Sequence, residues 1–452
     1  MRHSYAILLS CLIVAAFTAV ACDANKAAIS ADDKPEDVSG QTAKDITDNV
    51  KSEYSFYSSG APSTMSEEGY RKVAAVNSFA FAFVNELQKQ EQGSFVCSPA
   101  SLGCLLGMLS EGSDGETRKE LCRALGFDES DQDGINEFFR DLIVLSSPDE
   151  GATEDLAMAN VVVADNRFDF VEQFKKNIAG YYDGCFKNMD FSNGKAVADY
   201  INSWASEHTN GRIKKVVEDV NGILCLVNAL YFKGNWSFPF YMDATTEELF
   251  ETAVSGKRTV KMMHMTDDAN GIIKYTDKGA YRMINLSYGN LRDNNNRYSF
   301  SVMLPEQGQS IEDMLAGMNA ESWASSHDDL HPEFIKLSLP SFSTDSNIES
   351  DNLKSLLGKA GVKLIFDPVN ANFSNLTEKG GIYVELMKHL ANISVDENGT
   401  EAAAVSYAEV SCTALPPEEK QPEYVEFNCN RPFLYAISDS RTGAILCIGC
   451  YR

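Results

Sequence analysis

Apolar and polar positions divide the chain into a short apolar start, a polar stretch and a long body of alternating periodicities. Residues 6–20 form an apolar run behind Met1-Arg2-His3, too short for a membrane span and in the position of a secretory signal. Residues 23–68 are rich in Asp, Lys, Ser, Ala and Thr, with few large apolar side chains and neither helical nor strand period. That composition predicts a disordered tether. From Glu67 to Gln90 the segment containing NSFAFAFVNEL has an apolar face with polar interruptions, which predicts a helix. Ser98-Pro99 then ends a short apolar stretch and is expected to stop a strand and cap a second helix.

The most informative pattern lies near the C-terminus, in DENGTEAAAVSYAEV from Asp396. A strand turns successive side chains to opposite faces. Counted by twos, Thr400, Ala402, Ala404, Ser406, Ala408 and Val410 are all small or modest, whereas Glu401, Ala403, Val405, Tyr407 and Glu409 hold both charges and the one large ring. One face of such a strand can enter a crowded core while the other faces water. A slip of one residue would bury both glutamates. Gly399 precedes the run and is expected to absorb a dihedral change that other residues resist. Read alone, the segment is equally a solvated Ala/Glu-rich loop or an ordinary edge strand.

Composition narrows the chemistry. The chain has 452 residues, 44% hydrophobic and 23% charged, with a net charge of −26. That is ample for a large core and unfavourable for nucleic acid or heparin-like polyanions. There are eleven cysteines; Cys11 lies in the signal and Cys22 at its end. The nine that remain are an odd number set mostly in apolar runs, which argues against a disulfide framework. Cys447-x-x-Cys450 has metal or redox spacing but no second pair nearby, and His327-x-x-x-His331 is expected to sit in a surface loop without a third ligand. Neither G-x-S-x-G, a P-loop nor H-E-x-x-H occurs, so an enzyme is not expected, and no cofactor is implied.

Several further motifs fall in a fixed order. SFVCSPASLGCLLGMLSEGSDGETRKELCRALGF is followed by LAMANVVVADNRFDFVEQFKKNIAGYYDGCFKNMDF, DYINSWASEHTNGRIKKVV, ILCLVNALYFKGNWSFPF with its Asn-x-x-Tyr-Phe-Lys-Gly-x-Trp signature, IKLSLPSFS, GVKLIFD and NFSNLT. The hinge-like run, ALPPE from Ala414, and FNCNRPFLYAISD from Phe427 complete the order. From about Glu67 to Arg452 this resembles the serpin family. The resemblance implies an α+β domain with three β-sheets surrounded by about nine helices and an exposed reactive-centre loop. It implies a suicide-type serine protease inhibitor that traps its target as an acyl-enzyme by inserting the cleaved loop into the main sheet. It further implies a hinge at Glu397, Gly399, Thr400, Glu401, Ala402, Ala403 and Ala404, and a polar cluster of Ser98, Ser101, Asn228 and His389 that rearranges when the sheet opens. The reactive bond falls fourteen residues after the hinge glycine, at Thr413–Ala414, with a shift of one residue either way left open. EKQPEYV after Glu418 departs from the family by lengthening the link to the next strand.

No Lys or Arg occurs from Thr400 to Glu419, so trypsin-like pockets, which pair a buried carboxylate with a cation, are poorly served. Thr413 suits the shallow pocket of elastase- or subtilisin-like proteases. Papain-like cysteine proteases reading Cys412, or a binding role without inhibition, are the alternatives. Ala19-Val20-Ala21-Cys22 resembles a bacterial lipobox, with Ala19 where leucine is usual, and also fits an ordinary signal-peptidase site. The expected division is a signal peptide over 1–21, a tether over 22–66 beginning at a lipidated Cys22, and an inhibitory domain over 67–452 with its loop at about 397–418. The expected address is the bacterial cell envelope, facing outward and held by the lipid anchor alone; a freely secreted extracellular form is the alternative. The expected partners are target proteases, and the expected state is a monomer. Asn398-Gly399-Thr400 is a glycosylation sequon inside the hinge, harmless where such modification is absent.

Overall fold

Local signals set the ends of the helices in a computed structural model that describes residues 63–149, 152–252, 256–268, 271–289, 297–400 and 422–452. Helix α1 (Glu67–Gln90) begins where the Ser66 hydroxyl accepts from the Gly69 N–H at 3.0 Å, with Glu67 and Glu68 in the first turn and Lys89 in the last. It buries Val73, Val76, Phe79, Phe83 and Leu87 at helical spacing. Met65, just ahead of the helix, is also buried. Strand β1 (Phe95–Cys97) ends at Ser98, whose hydroxyl accepts from Ser101 N–H at 3.2 Å and caps α2 (Pro99–Gly112), with Pro99 in the first turn. Helix α2 is buried nearly all round and forms the centre of the main core. Helices α3 (Gly115–Leu125), α4 (Gln132–Ser146), α5 (Glu172–Tyr182), α6 (Gly194–His208), α7 (Ile311–Gly317), α8 (Ala320–Asp328) and α9 (Ser350–Lys359) make nine among the described residues.

The strands form three sheets. A seven-stranded sheet joins β1 to β17 (Ile445–Tyr451), β16 (Phe433–Asp439), β9 (Tyr298–Pro305), β8 (Tyr281–Ser287), β7 (Ile273–Asp277) and β10 (His331–Pro332), in that order. A four-stranded sheet runs β15 (Val425–Asn428), β11 (Ile335–Pro340), β6 (Lys257–Thr266) and β5 (Thr246–Glu251). The six-stranded sheet has the order β12 (Phe342–Ile348), β13 (Leu386–Val395), β14 (Gly399–Thr400), β4 (Leu224–Asn235), β2 (Asp155–Asp165) and β3 (Cys185–Met189). This is the α+β arrangement of three sheets and about nine helices that the motifs imply.

The six-stranded sheet is covered on both faces, which explains the unbroken apolar run in β4. Leu224, Leu226, Leu230 and Phe232 face the main core, while Cys225, Val227 and Ala229 face a second core beneath Val197, Ile201, Trp204 and Ala205 of α6. No disulfide joins the described cysteines, and of these only Cys185 is not fully buried. Cys447 and Cys450 lie three apart on one strand, so the pleat turns their thiols to opposite faces.

Candidate functional site: a hinge seat and a sheet-opening cluster

The site begins where the two central strands of the six-stranded sheet part. β13 and β4 are parallel and pair directly over six positions, from Leu386↔Cys225 to Ala391↔Leu230. Beyond that, β14 enters between them, antiparallel to both: Thr400 lies opposite Val395 and Gly234, and Gly399 opposite Asn235. The hinge is thus already the first two residues of an intervening strand. β15, which follows the loop, is paired with β11 from Ile335↔Val425 to Ser338↔Asn428.

Gly399 is required by close approach rather than by freedom of rotation. A methyl built there would overlap the Gly234 carbonyl oxygen and come within 2.8 Å of Asn235 Cα. Gly234 is equally confined, since a methyl there would stand 2.9 Å from Tyr288. Thr400 is fully buried, and its hydroxyl meets the Tyr288 hydroxyl at 2.6 Å. This matches the parity that put Thr400 on the inward face. Tyr288 stacks on Trp236, ring centres 4.6 Å apart and planes within 16°. The Trp236 indole donates to Asp396 O and its backbone N–H to Asn398 O, both at 2.8 Å. Phe240 N–H donates to Glu397 O at 2.9 Å, and Thr245 donates to the Glu397 carboxylate at 2.7 Å. Asp396 accepts from Asn398 N–H at 2.8 Å and Gly399 N–H at 3.2 Å; burial pushes its carboxyl above the usual range against those bonds. Trp236, Tyr288 and Asp396 thus complete a seat of which the sequence indicated only Glu397, Gly399 and Thr400. Gly234 and Trp236 stand in the YFKGNW signature, but nothing in it says which strand they face.

Six residues back along β13 from Val395, at His389, the four expected cluster residues meet. Ser98 N–H donates to His389 Nε2 at 2.9 Å, and His389 Nδ1 lies 2.6 Å from Asn228 Oδ1. With a backbone donor on Nε2, the proton must sit on Nδ1, and Asn228 Oδ1 must accept it. The Asn228 amide nitrogen then donates to Ser101 and, at 2.7 Å, to Asn160 Oδ1. All of these residues are buried. Burial lowers the pKa of His389 from 6.5 to about 4, so the ring is neutral at ordinary pH. Protonation would set a second N–H against Ser98 N–H. Asn160 is the member that sequence reasoning missed; its signal was a lone amide in the run LAMANVVVAD.

Other expectations fall elsewhere. Glu401, Ala402, Ala403, Ala404, Cys412, Thr413, Ala414 and Cys22 lie outside the described residues. His327 is not in a surface loop. It belongs to the last turn of α8, 3.1 Å from Trp323 O and 3.3 Å from Ser301, and burial lowers its pKa. His331 is exposed in β10. Among the described residues no group of three or more His, Cys, Asp or Glu is placed to hold a metal, and no helix is long and apolar enough to cross a membrane.

Known proteins share this architecture. The family model for serpins (serine protease inhibitors) matches residues 74–452. An uncharacterized serpin-like protein of Thermococcus kodakarensis is 32% identical over 388 residues, 85% of this chain and 86% of that protein. The leukocyte elastase inhibitor of Xenopus laevis is 28% identical over 391 residues, 84% of this chain and 98% of the inhibitor. Human thyroxine-binding globulin, solved with thyroxine bound, superposes with a TM-score of 0.73 at 25% identity, covering 84% of this chain and 98% of that one. The chain belongs to the serpin family, and it is not an enzyme.

Proposed function

We propose that the protein is a protease inhibitor that works by completing the strand its hinge has begun. The observation that carries this reading is the register of β14. Each step along the loop past Thr400 is one step back along both neighbours. Ala404 therefore falls opposite Ala391 and Leu230, and Ser406 opposite His389 and Asn228, and both of these pairs already face each other in the closed sheet. Ala402 and Ala404 would meet Ile393, Phe232, Ala391 and Leu230 on the main-core side, and Val405 would meet Leu390 and Ala229 on the α6 side. Glu401 would come beside Lys233 at the solvent end. A continuous strand of this composition buries small groups, satisfies the backbone of both neighbours, and brings a hydroxyl to the point where the His389–Asn228 bond must break.

The chemistry follows from that motion. A protease serine attacks the Thr413 carbonyl carbon, the bond to Ala414 breaks, and the acyl-enzyme forms. The freed loop then enters the sheet with the enzyme attached. Fourteen residues at about 3.3 Å each carry it roughly 46 Å. Deacylation needs an intact oxyanion hole and triad geometry, and traction on the acylated serine spoils both. Thr413 favours elastase- or subtilisin-like serine proteases, in keeping with an elastase inhibitor among the relatives; cysteine proteases reading Cys412 are the narrower variant. Incubation with a protease panel tests this, the expected result being a complex stable on denaturing gels and a released peptide beginning at Ala414.

A second reading, a carrier that binds a small molecule and does not insert its loop, is favoured by two observations. One is the likeness to thyroxine-binding globulin. The other is a cavity of about 540 Å³ between α1, α8 and the seven-stranded sheet, floored by Asn285, Ser287, Ser299 and Ser438 and walled by Trp323 and Tyr70. The readings separate on heat stability. An inserting loop raises it sharply after cleavage, and a carrier's does not.

The proposed layout is a signal peptide over 1–21 and a tether from Cys22 to a monomeric inhibitory domain outside the cytoplasm. The extracellular setting is the broader proposal; attachment through acylated Cys22 is the narrower one, with simple secretion as its alternative.

A further inference from the structure

An asparagine followed by glycine is the least hindered setting for attack of a backbone nitrogen on a side-chain amide, because the second residue has no Cβ and turns freely. Five such pairs occur, at Asn193, Asn210, Asn221, Asn270 and Asn398. Asn210 is exposed with a φ of 49°, Asn221 is exposed ahead of Gly222, and Asn193 caps α6. The pair at Asn398 is held differently. Asp396 N–H donates to Gly399 O at 2.9 Å, Asn398 O accepts from Trp236 N–H at 2.8 Å, and the Gly399 N–H donates to Asp396 Oδ1 at 3.2 Å. Gly399 is buried beside β4, while Asn398 is half-buried and, among the described residues, nothing bonds its side-chain amide. The reactive carbonyl is therefore free and the attacking nitrogen is tied down. Closing a ring between them would pull Gly399 against the Gly234 carbonyl, where its Cα has no space to spare.

We propose that Asn398-Gly399 is a self-modification site, silent while the hinge is seated and active once β14 leaves the sheet. The Gly399 nitrogen bonds to Asn398 Cγ, the Cγ–Nδ2 bond breaks, and the displaced proton departs with the amide as ammonia. One water then opens the five-membered imide at either carbonyl, leaving aspartate or isoaspartate at position 398. The isoaspartate route carries the main chain through the former side chain and adds a methylene ahead of Gly399. The turn from Asp396 to Gly399 is closed by one hydrogen bond, and Gly399 and Thr400 face Asn235 and Gly234 in strict register, so the extra backbone atom prevents reseating. The hinge thereby records time spent open and withdraws molecules that have opened for too long. The modification rests on the seat alone; its effect on trapping rests on the inhibitory reading.

The test ages the full chain at pH 8.5 and 37 °C and reads each Asn-Gly pair by peptide mass mapping. In the folded wild type Asn398 should convert at least tenfold more slowly than in urea, and equal rates overturn the protection. Thr400→Arg, which unseats the hinge, should convert Asn398 at least tenfold faster than the wild type, with Asn210 and Asn221 unchanged. Equal rates at Asn398 in the two folded proteins overturn the gating; if Asn210 and Asn221 also accelerate, the variant is misfolded and the wild-type ratio decides. The isoaspartate form, separated from aged wild type by its added charge, should exchange the Thr400 amide hydrogen at least threefold faster, and unchanged exchange overturns the block on reseating. Asn398→Asp, which adds the charge without the methylene, should exchange as the wild type does; a matching rise there overturns the register argument. The isoaspartate form should also give at least threefold less covalent complex with a target protease. Absence of complex even from unaged protein sinks the inhibitory reading and leaves the conversion and exchange rates standing.

Discussion

Gly399 packs so closely on β4 that a methyl on its Cα would overlap the Gly234 carbonyl oxygen, while a methyl on Gly234 would instead meet the Tyr288 and Phe232 rings. The hinge can dock this closely against β4 because Gly399 lacks a Cβ. Gly399→Ala should lift β14 out of the sheet and cost about 1–3 kcal/mol. Hydrogen exchange at Thr400 should rise, and thermal unfolding should come earlier. An unshifted melting curve would show that the hinge is not seated here in solution.

Thr400→Arg should turn the inhibitor into a substrate. Thr400 is fully buried against Tyr288, and a guanidinium there would have no carboxylate to meet. Cleavage by a target protease should continue while the yield of covalent complex collapses. Equal yields in variant and wild type would refute the inward face assigned to Thr400.

The His389 cluster sets a pH dependence whose sign is fixed by its neutral ring. The folded pKa, about 4, lies below the ordinary 6.5, so between those values the unfolded chain binds the extra proton. The contribution is complete above pH 6.5 and is lost as pH falls toward 4, amounting to about 3 kcal/mol. Denaturant unfolding of the wild type and His389→Gln measured across pH 7.5 to 4 isolates it. The difference in slope between the two should vanish above pH 6.5; a variant with the same pH profile as the wild type would remove His389 from the account.

Thr413→Arg should confer inhibition of trypsin-like proteases and weaken inhibition of elastase-like ones. Second-order inhibition rates against one enzyme of each kind measure both changes. A wild type that already traps trypsin well would move the reactive bond away from Thr413–Ala414.

Cys22→Ala should release the protein from bacterial membranes while leaving the purified inhibitor as active as before. One acylated cysteine carries enough apolar chain for firm attachment when more than one acyl group is present. Fractionation followed by mass measurement of the mature N-terminus decides it. Wild-type protein wholly in the soluble fraction, with an unmodified N-terminus, would leave simple secretion.

What the sequence determined by itself is what depends on period and on local chemistry. The capping of α2 by Ser98, the extent of α1, and the inward parity of Thr400 all follow from residues within a few positions of one another. The motifs also named Ser98, Ser101, Asn228 and His389 as one cluster. Only the tertiary structure decided the rest. Asn160 joins that cluster because β2 lies beside β4, and Trp236, Tyr288 and Gly234 form the hinge seat because strands far apart in the chain converge on β14. His327 looked like a loop residue and is instead packed on Trp323 and Ser301, which come from α8 and a distant strand. A strand's period tells which of its faces is buried, but not which strand lies next to it. Neighbours in the six-stranded sheet are set by burial on two faces at once, and that balance is reached only when the whole chain has packed.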